Sequence, residues 1–337
     1  MSNDASPGEG ATPGEDDSIL QCEECLPPAD AFAIVGNETR LHILEALWAA
    51  DRPAAFSELR RSVGMRDSAQ FNYHLDKLRG QFVRKTDDGY EFRQAGKAIV
   101  RAVLAGTYNQ DPELEPFPVD GECVACGGGL QASYRDEAFL ITCTECQRPH
   151  GTYPFPPGGL EDRSREEVLS AFNQRARHLA CLTADGVCPE CNGRVRTDLL
   201  EPEDLPPDKV KPIAEQELFV IHECQRCNNH IVSSVGLTLL DDAEIVSFYR
   251  DHGIDLNTVR FWTLEWCISD RHLDILSRDP WRLRVTVPLG EEELRVTVDG
   301  EMAVQHTERR ARTGDAATEG TTPTGADEAD EAVEQDA

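Results

Sequence analysis

The chain has 337 residues, enough for two or three domains with real apolar cores, and 62 acidic against 33 basic residues give it a formal charge of −29. No run approaches the roughly 20 apolar residues that cross a bilayer, and the opening Met1-Ser2-Asn3-Asp4 lacks the basic and apolar regions of a secretory leader. A helical membrane protein is excluded and a cytoplasmic chain is predicted, while so acidic a composition argues at first sight against a nucleic-acid partner.

The charge is unevenly spread. Residues 1–28 hold seven acids and no bases, and residues 313–337 hold eight acids and no bases. With their Gly, Ala, Thr and Pro, the segments 1–28 and 307–337 read as disordered acidic tails. Between Asp30 and Thr107, by contrast, twelve basic residues face ten acidic ones, and between Arg60 and Lys85 the balance is seven to two. A locally basic stretch in an acidic chain needs a partner to explain it.

The first predicted helix runs from Ala31 to Ala49, with Leu41, Leu44 and Trp48 on one stripe. A short helix follows, opened by Ser57, turning Leu59 and Val63 inward and ending at Gly64. A second begins at Asp67 or Ser68, where Asp67 and Gln70 have the spacing of a capping box, and it turns Phe71, Leu75 and Leu78 to the core. Its other side presents Gln70, Tyr73, His74 and Lys77, with Ser68 and Asn72 beside them. Phe82–Thr86 and Tyr90–Arg93 then flank Asp87-Asp88-Gly89, a hairpin signal, and a helix from Gly96 to Ala105 closes the unit.

Two short helices, a glycine-containing turn between them and a hairpin directly after describe a winged helix-turn-helix over residues 30–107. A helix of this width enters the major groove, where Gln, Asn and Lys read base edges. Arg61, Arg66, Arg79, Arg84, Lys85 and Arg93 are placed to neutralise the flanking phosphates of double-stranded DNA, which fixes register without reading sequence.

Residues 30–107 resemble the ArsR-type winged-helix regulators. The carriers are Gly36-Asn37-Glu38-Thr39-Arg40-Leu41-His42-Ile43-Leu44 and the Asn72-Tyr73-His74-Leu75-Asp76-Lys77-Leu78 of the second helix. The resemblance covers about a quarter of the chain and implies sequence-specific DNA binding by a homodimer, with the second helix in the groove. Residues 51–107 contain no cysteine, so the ligands carried near the recognition helix by that family's metal sensors have no counterpart there. In composition, 28 Arg against 5 Lys in so acidic a chain resembles the proteins of halophilic archaea.

Residues 108–121, with three prolines and four acids, read as a linker to a C-terminal α+β domain over 122–306. Ten of the twelve cysteines fall in Cys-x-x-Cys pairs, which in a cytoplasmic chain point to metal before disulfides. Cys123, Cys126, Cys143 and Cys146 have the spacing of a zinc ribbon, with Leu130–Tyr134 and Ala138–Thr142 as the hairpin between knuckles. Cys188, Cys191, Cys224 and Cys227 form a second ribbon beside strands Arg194–Leu200 and Glu217–Ile221, with Glu201–Pro212 as an excursion from its tip. Four thiolates leave no open position, so two structural zinc ions per chain are expected. His150, His222 and His230 are spare ligands that four cysteines make unnecessary. Cys22 and Cys25 stand alone in the N-terminal tail, and Cys181 and Cys267 read as core thiols.

Ser164–Leu182 reads as an amphipathic helix with Ser164 and Glu167 as its cap, followed after the second ribbon by a β-rich run over His230–Leu240. Helical stretches then extend to Cys267, and the last elements are a strand pair, Trp281–Leu289 and Glu293–Val298, turning at Gly290. No Gly-rich phosphate loop and no His-Glu metal helix is present, so no enzyme is expected. The leading reading is a DNA-binding transcription regulator whose zinc-stabilised C-terminal half senses an effector or dimerises. The alternative is a protein-interaction module or accessory assembly factor without DNA readout.

Overall fold

Gly36-Asn37 divides what periodicity predicts as a single first helix. In the computed structural model, which describes residues 26–205 and 216–312, α1 (Pro28–Val35) ends at Gly36 and α2 (Glu38–Ala50) starts afresh. Asn37 adopts an extended conformation and its side chain accepts the Arg40 amide, so a residue expected inside a helix is instead its cap. The buried face of α2 is correspondingly Ile43, Leu44 and Leu47, while Trp48 stays partly exposed with its ring edge on Phe92. The segments 1–25, 206–215 and 313–337, with most of the expected tails, Cys22, Cys25 and most of the excursion after Glu201, lie outside the described residues.

The protein mixes helices with antiparallel strands and divides into two compact units between Leu104 and Ala105. The first continues with α3 (Phe56–Ser62), α4 (Ser68–Leu78), β1 (Val83–Thr86), β2 (Gly89–Phe92) and α5 (Gln94–Leu104). Ala55, not Ser57, is the N-cap of α3. Asp67 caps α4 by accepting the Ala69 and Gln70 amides. The β1–β2 register places Val83 opposite Phe92 and Thr86 opposite Gly89, and Ala54 adds two backbone bonds to Tyr90, 3.0 and 2.9 Å. Ile43, Leu44, Leu47, Leu59, Phe71, Leu75 and Leu78 form its core.

The second unit is three antiparallel sheets around one long helix. β3 (Leu114–Glu122), β4 (Gly129–Arg135), β5 (Ala138–Cys143) and β6 (Pro149–Pro154) form a meander in that order. β3 corrects the expected linker. Pro116 and Pro118 are exposed on an edge strand, where a missing N–H is tolerated, and Phe117 between them is buried. α6 (Arg165–Ala184) carries a full capping box, Ser164 with Glu167, and turns Val168, Leu169, Phe172, Ala176, Leu179 and Ala180 to the core. Phe172 there meets Phe139, Tyr153, Phe261 and Trp262.

β7 (Val195–Leu200), β8 (Phe219–Cys224) and β9 (His230–Ser233) form the second sheet. β9 stops at Ser233, and α7 (Val235–Thr238) takes over the rest of the segment expected as β, because Ser234 caps it. α8 (Ala243–Asp251) and α9 (Glu265–Ile268) follow. The expected final strand pair is a four-stranded sheet: β10 (Leu273–Arg278), β11 (Trp281–Leu289), β12 (Glu292–Asp299) and β13 (Val304–Ala311). β13 includes residues expected in the C-terminal tail. It is a polar, largely exposed edge strand, so no apolar alternation marks it.

Candidate metal centres and nucleic-acid interface

Both cysteine quartets gather into compact groups. The sulfurs of Cys123, Cys126, Cys143 and Cys146 all lie within 4.8 Å of one another, and so do those of Cys188, Cys191, Cys224 and Cys227. Measured contacts are 3.6 Å for Cys123–Cys146, 3.5 Å for Cys126–Cys143, 3.7 Å for Cys188–Cys227 and 3.6 Å for Cys191–Cys224. Sulfurs around a tetrahedral ion with bonds of about 2.3 Å would lie about 3.8 Å apart. Each group can therefore hold one metal ion with little movement. None of the described histidines joins either group. His222 Nδ1 lies 2.9 Å from Thr197 Oγ1, and burial pushes both His150 and His222 down to about 4.

The same chain path builds both groups: a knuckle, two paired strands, a second knuckle and a third strand. Each knuckle is closed by a backbone bond from its first cysteine across the turn. Cys123 donates to the Gly128 carbonyl (2.8 Å), Cys143 to Arg148 (2.9 Å), Cys188 to Gly193 (3.0 Å) and Cys224 to Asn229 (2.8 Å). The residue after the second cysteine is left-handed in all four, with φ of 73° at Gly127, 59° at Gln147, 56° at Asn192 and 57° at Asn228. Gly and Asn tolerate that region better than most residues. The amides of Glu145 and Cys146 point at Cys143 Sγ, that of Gly193 at Cys191 Sγ and that of Arg226 at Cys224 Sγ.

These amides favour thiolates. The amides of Cys227 and Arg226 bring the Cys224 thiol down to about 6. Burial pushes Cys143 up, but the amides of Cys146 and Glu145 and hydrogen bonds from Cys126 and Cys146 bring it to about 7. Space is equally prescribed. A Cβ on Gly128 would stand 3.1 Å from Cys143 Sγ, and one on Gly193 3.0 and 3.1 Å from Cys224 and Cys191 Sγ.

The first unit displays a different surface. Ser68, Gln70, Asn72, Tyr73 and Lys77 are exposed along α4, and His74 is half-buried. The Lys77 ammonium sits 5.5 Å from the Tyr73 ring centroid. Arg61, Arg66, Arg79, Arg84, Lys85 and Arg93 are all exposed on α3, the turn, the end of α4 and the hairpin. Three of them have protein partners: Arg79 meets Asp76 at 2.7 Å, Arg84 pairs with Glu91, and Arg93 donates to the Gly80 carbonyl. Asn72 Nδ2 also donates to Asp76, at 2.8 Å.

A family model described as a domain of unknown function, DUF7351, matches residues 120–304, which contain both cysteine groups and the strands from β4 to β12. The chain belongs to the DUF7351 family. A second model, likewise a domain of unknown function (DUF7347), matches residues 28–103 and so coincides with the first unit. No curated protein matches the chain, and no solved structure matches it.

Within the DUF7351 domain the cysteine spacing identifies the sulfur ligands, but the residues that shape the knuckles escape a reading of spacing alone. Gly127, Gln147, Asn192 and Asn228 are the left-handed closures, and Gly128 and Gly193 give the sulfurs room. A signal was available in three knuckles, where Gly or Asn follows the second cysteine directly. No helix among the described residues is long and apolar enough to cross a membrane.

Proposed function

We propose that this protein is a cytoplasmic, sequence-specific DNA-binding transcription regulator. Its first unit is a winged helix-turn-helix and its DUF7351 domain is built on two zinc ribbons. Support comes from one observation above all: α4 lines up Ser68, Gln70, Asn72, Tyr73 and Lys77 on its solvent side, flanked by the arginines of α3 and the hairpin. That face belongs to the stretch from Arg60 to Lys85, where seven basic residues face two acidic ones in a chain whose formal charge is −29.

In this reading α4 enters the major groove, and Gln70, Asn72 and Lys77 meet base edges while Arg61, Arg66, Arg84, Lys85 and Arg93 meet phosphates. The hairpin is the wing. A homodimer would set two α4 helices on two half-sites about one helical turn apart. Zinc would be held by four thiolates in each ribbon, where it supplies folding free energy and no open coordination position, so no catalysis is assigned to it.

The test is selection of duplexes from a random pool by the full chain, over KCl from 0.1 M to molar concentrations. A defined motif is expected to emerge. Gln70→Ala and Lys77→Ala should each weaken binding to that motif about 5–150-fold, from lost contacts of about 1–3 kcal/mol each, with the fold unchanged by circular dichroism. Retention of no duplex at any salt concentration would replace this reading with protein-only interaction, and retention without an emerging motif would remove the sequence specificity.

A further inference from the structure

The two cysteine groups share a chain path, so equivalent positions can be compared directly. The third residue of the second knuckle is Glu145 in the first group and Arg226 in the second, and both are exposed. They pack over equivalent glycines. A Cβ on Gly128 would lie 3.0 Å from Glu145 Cβ, and one on Gly193 2.9 Å from Arg226 Cβ, in each case with a ligand sulfur as close. The residue after each glycine differs too, being Gly129 in one and Arg194 in the other. Two side chains of opposite charge thus stand at the same place beside two otherwise similar sulfur clusters.

A divalent ion on four thiolates leaves two net negative charges. The knuckles of the first group add Glu122 and Glu145 against Arg148, and those of the second add Glu190 and Glu223 against Arg194 and Arg226. The loaded first site is therefore the more negative, and Glu145 is the acid packed against its sulfurs. As the ion leaves, four protons from solvent convert the thiolates to thiols, so emptying removes two negative charges and a neighbouring carboxylate favours it. Dependence on metal also differs. The first sheet has four strands and gives Leu130, Ala132, Tyr134, Phe139, Ile141 and Tyr153 to the large shared core, to which the strands of the second sheet add Leu199, Val220 and Ile231. The second has three strands, with β9 only four residues long, and one of its faces covers only the small cluster Leu205, Phe219 and Ile221. Emptying the first site costs less structure, because a site's binding energy is released as folding energy only where the fold depends on it.

We propose that the first site, Cys123, Cys126, Cys143 and Cys146, is an exchangeable metal site that loads and empties with metal supply, whereas the second is a permanent structural one. The chain thereby carries a metal-responsive element inside its own DUF7351 domain. This rests on the metal reading of the two groups.

The test uses the full chain loaded with zinc and challenged with excess of a chromophoric chelator. Two equivalents are expected in two kinetic phases. Glu145→Arg should slow the fast phase about tenfold at low ionic strength and leave the slow one alone, whereas Arg226→Glu should speed the slow phase by a similar factor. Both effects should shrink toward twofold in about 1 M KCl, where charges are screened within about 3 Å. Far-UV circular dichroism should hold through the fast phase and fall during the slow one. Uptake of no zinc at the loading step would remove the metal reading itself. Two equivalents leaving in a single phase, or a fast phase that answers to Arg226→Glu and not to Glu145→Arg, would overturn only the exchangeable-site inference.

Discussion

Asp76 sits on the exposed side of α4, where a carboxylate facing a nucleic acid would repel it. Its two oxygens are occupied: Asn72 Nδ2 donates to one at 2.8 Å and the Arg79 guanidinium to the other at 2.7 Å. The carboxylate thereby holds one group suited to reading a base and another suited to meeting a phosphate, each a helical turn or less away. Two effects compete when it is removed. Losing the charge favours every duplex equally, and losing the two hydrogen bonds frees Asn72 and Arg79 and so disfavours the selected sequence alone. For Asp76→Ala we expect binding to random duplex to tighten about two- to fivefold, from roughly 0.5–1 kcal/mol of relieved repulsion, while the ratio of selected to random affinity falls at least tenfold. Titrations of both duplexes at one salt concentration decide it, and an unchanged ratio would leave Asp76 with no positioning role.

At the scale of elements, α6 carries the largest electrostatic commitment. Arg177 is 2% exposed yet charged, and it donates to Asp241 (2.6 Å), the Leu256 carbonyl (3.1 Å) and Asn257 Oδ1 (3.4 Å), tying the helix to two loops. Asp241 is 29% exposed, so water keeps part of its charge solvated, whereas the guanidinium has no such recourse. Asp241→Ala should cost about 2–3 kcal/mol by stranding a buried cation, seen as a fall of about 5–10 °C in the melting temperature of the second unit. Arg177→Met, which removes the buried charge and keeps the stem's volume, should cost less, and the opposite ranking would refute the argument. Elements announced by capping chemistry were legible beforehand, as Asp67 and the Ser164–Glu167 pair show. Those whose existence depends on distant partners were not. β3 hides behind exposed prolines that only an edge position allows, β13 is polar because it is an edge, and α1 is severed from α2 by a cap that looks like helix interior. At the two cysteine groups the four residues that come together were legible from spacing, but the return bonds and the space over Gly128 and Gly193 arise where the chain doubles back on itself.

Considered as a whole, the molecule must reconcile a formal charge of −29 with the proposed polyanionic partner. Residues 1–25 carry seven acids and residues 313–337 eight, with no base in either, so these two segments account for fifteen of the negative charges and their removal would leave −14. The first unit, from Asp30 to Leu104, has twelve bases against ten acids and so can draw phosphate toward it. Repulsion from the rest acts over the Debye length, about 10 Å at 0.1 M salt and about 3 Å at 1 M, whereas contacts made within the groove survive screening better. Deleting both acidic segments should therefore raise the association rate with any duplex about tenfold near 0.1 M KCl and leave it nearly unchanged at molar KCl. Dissociation from the selected sequence should be the same with and without them, because they add no contact to the groove. Stopped-flow association at the two salt concentrations separates the possibilities. A rate gain that persisted at molar KCl would mean that the segments occlude the α4 face directly, and a loss of affinity on deletion would mean that they contribute to binding instead of opposing it.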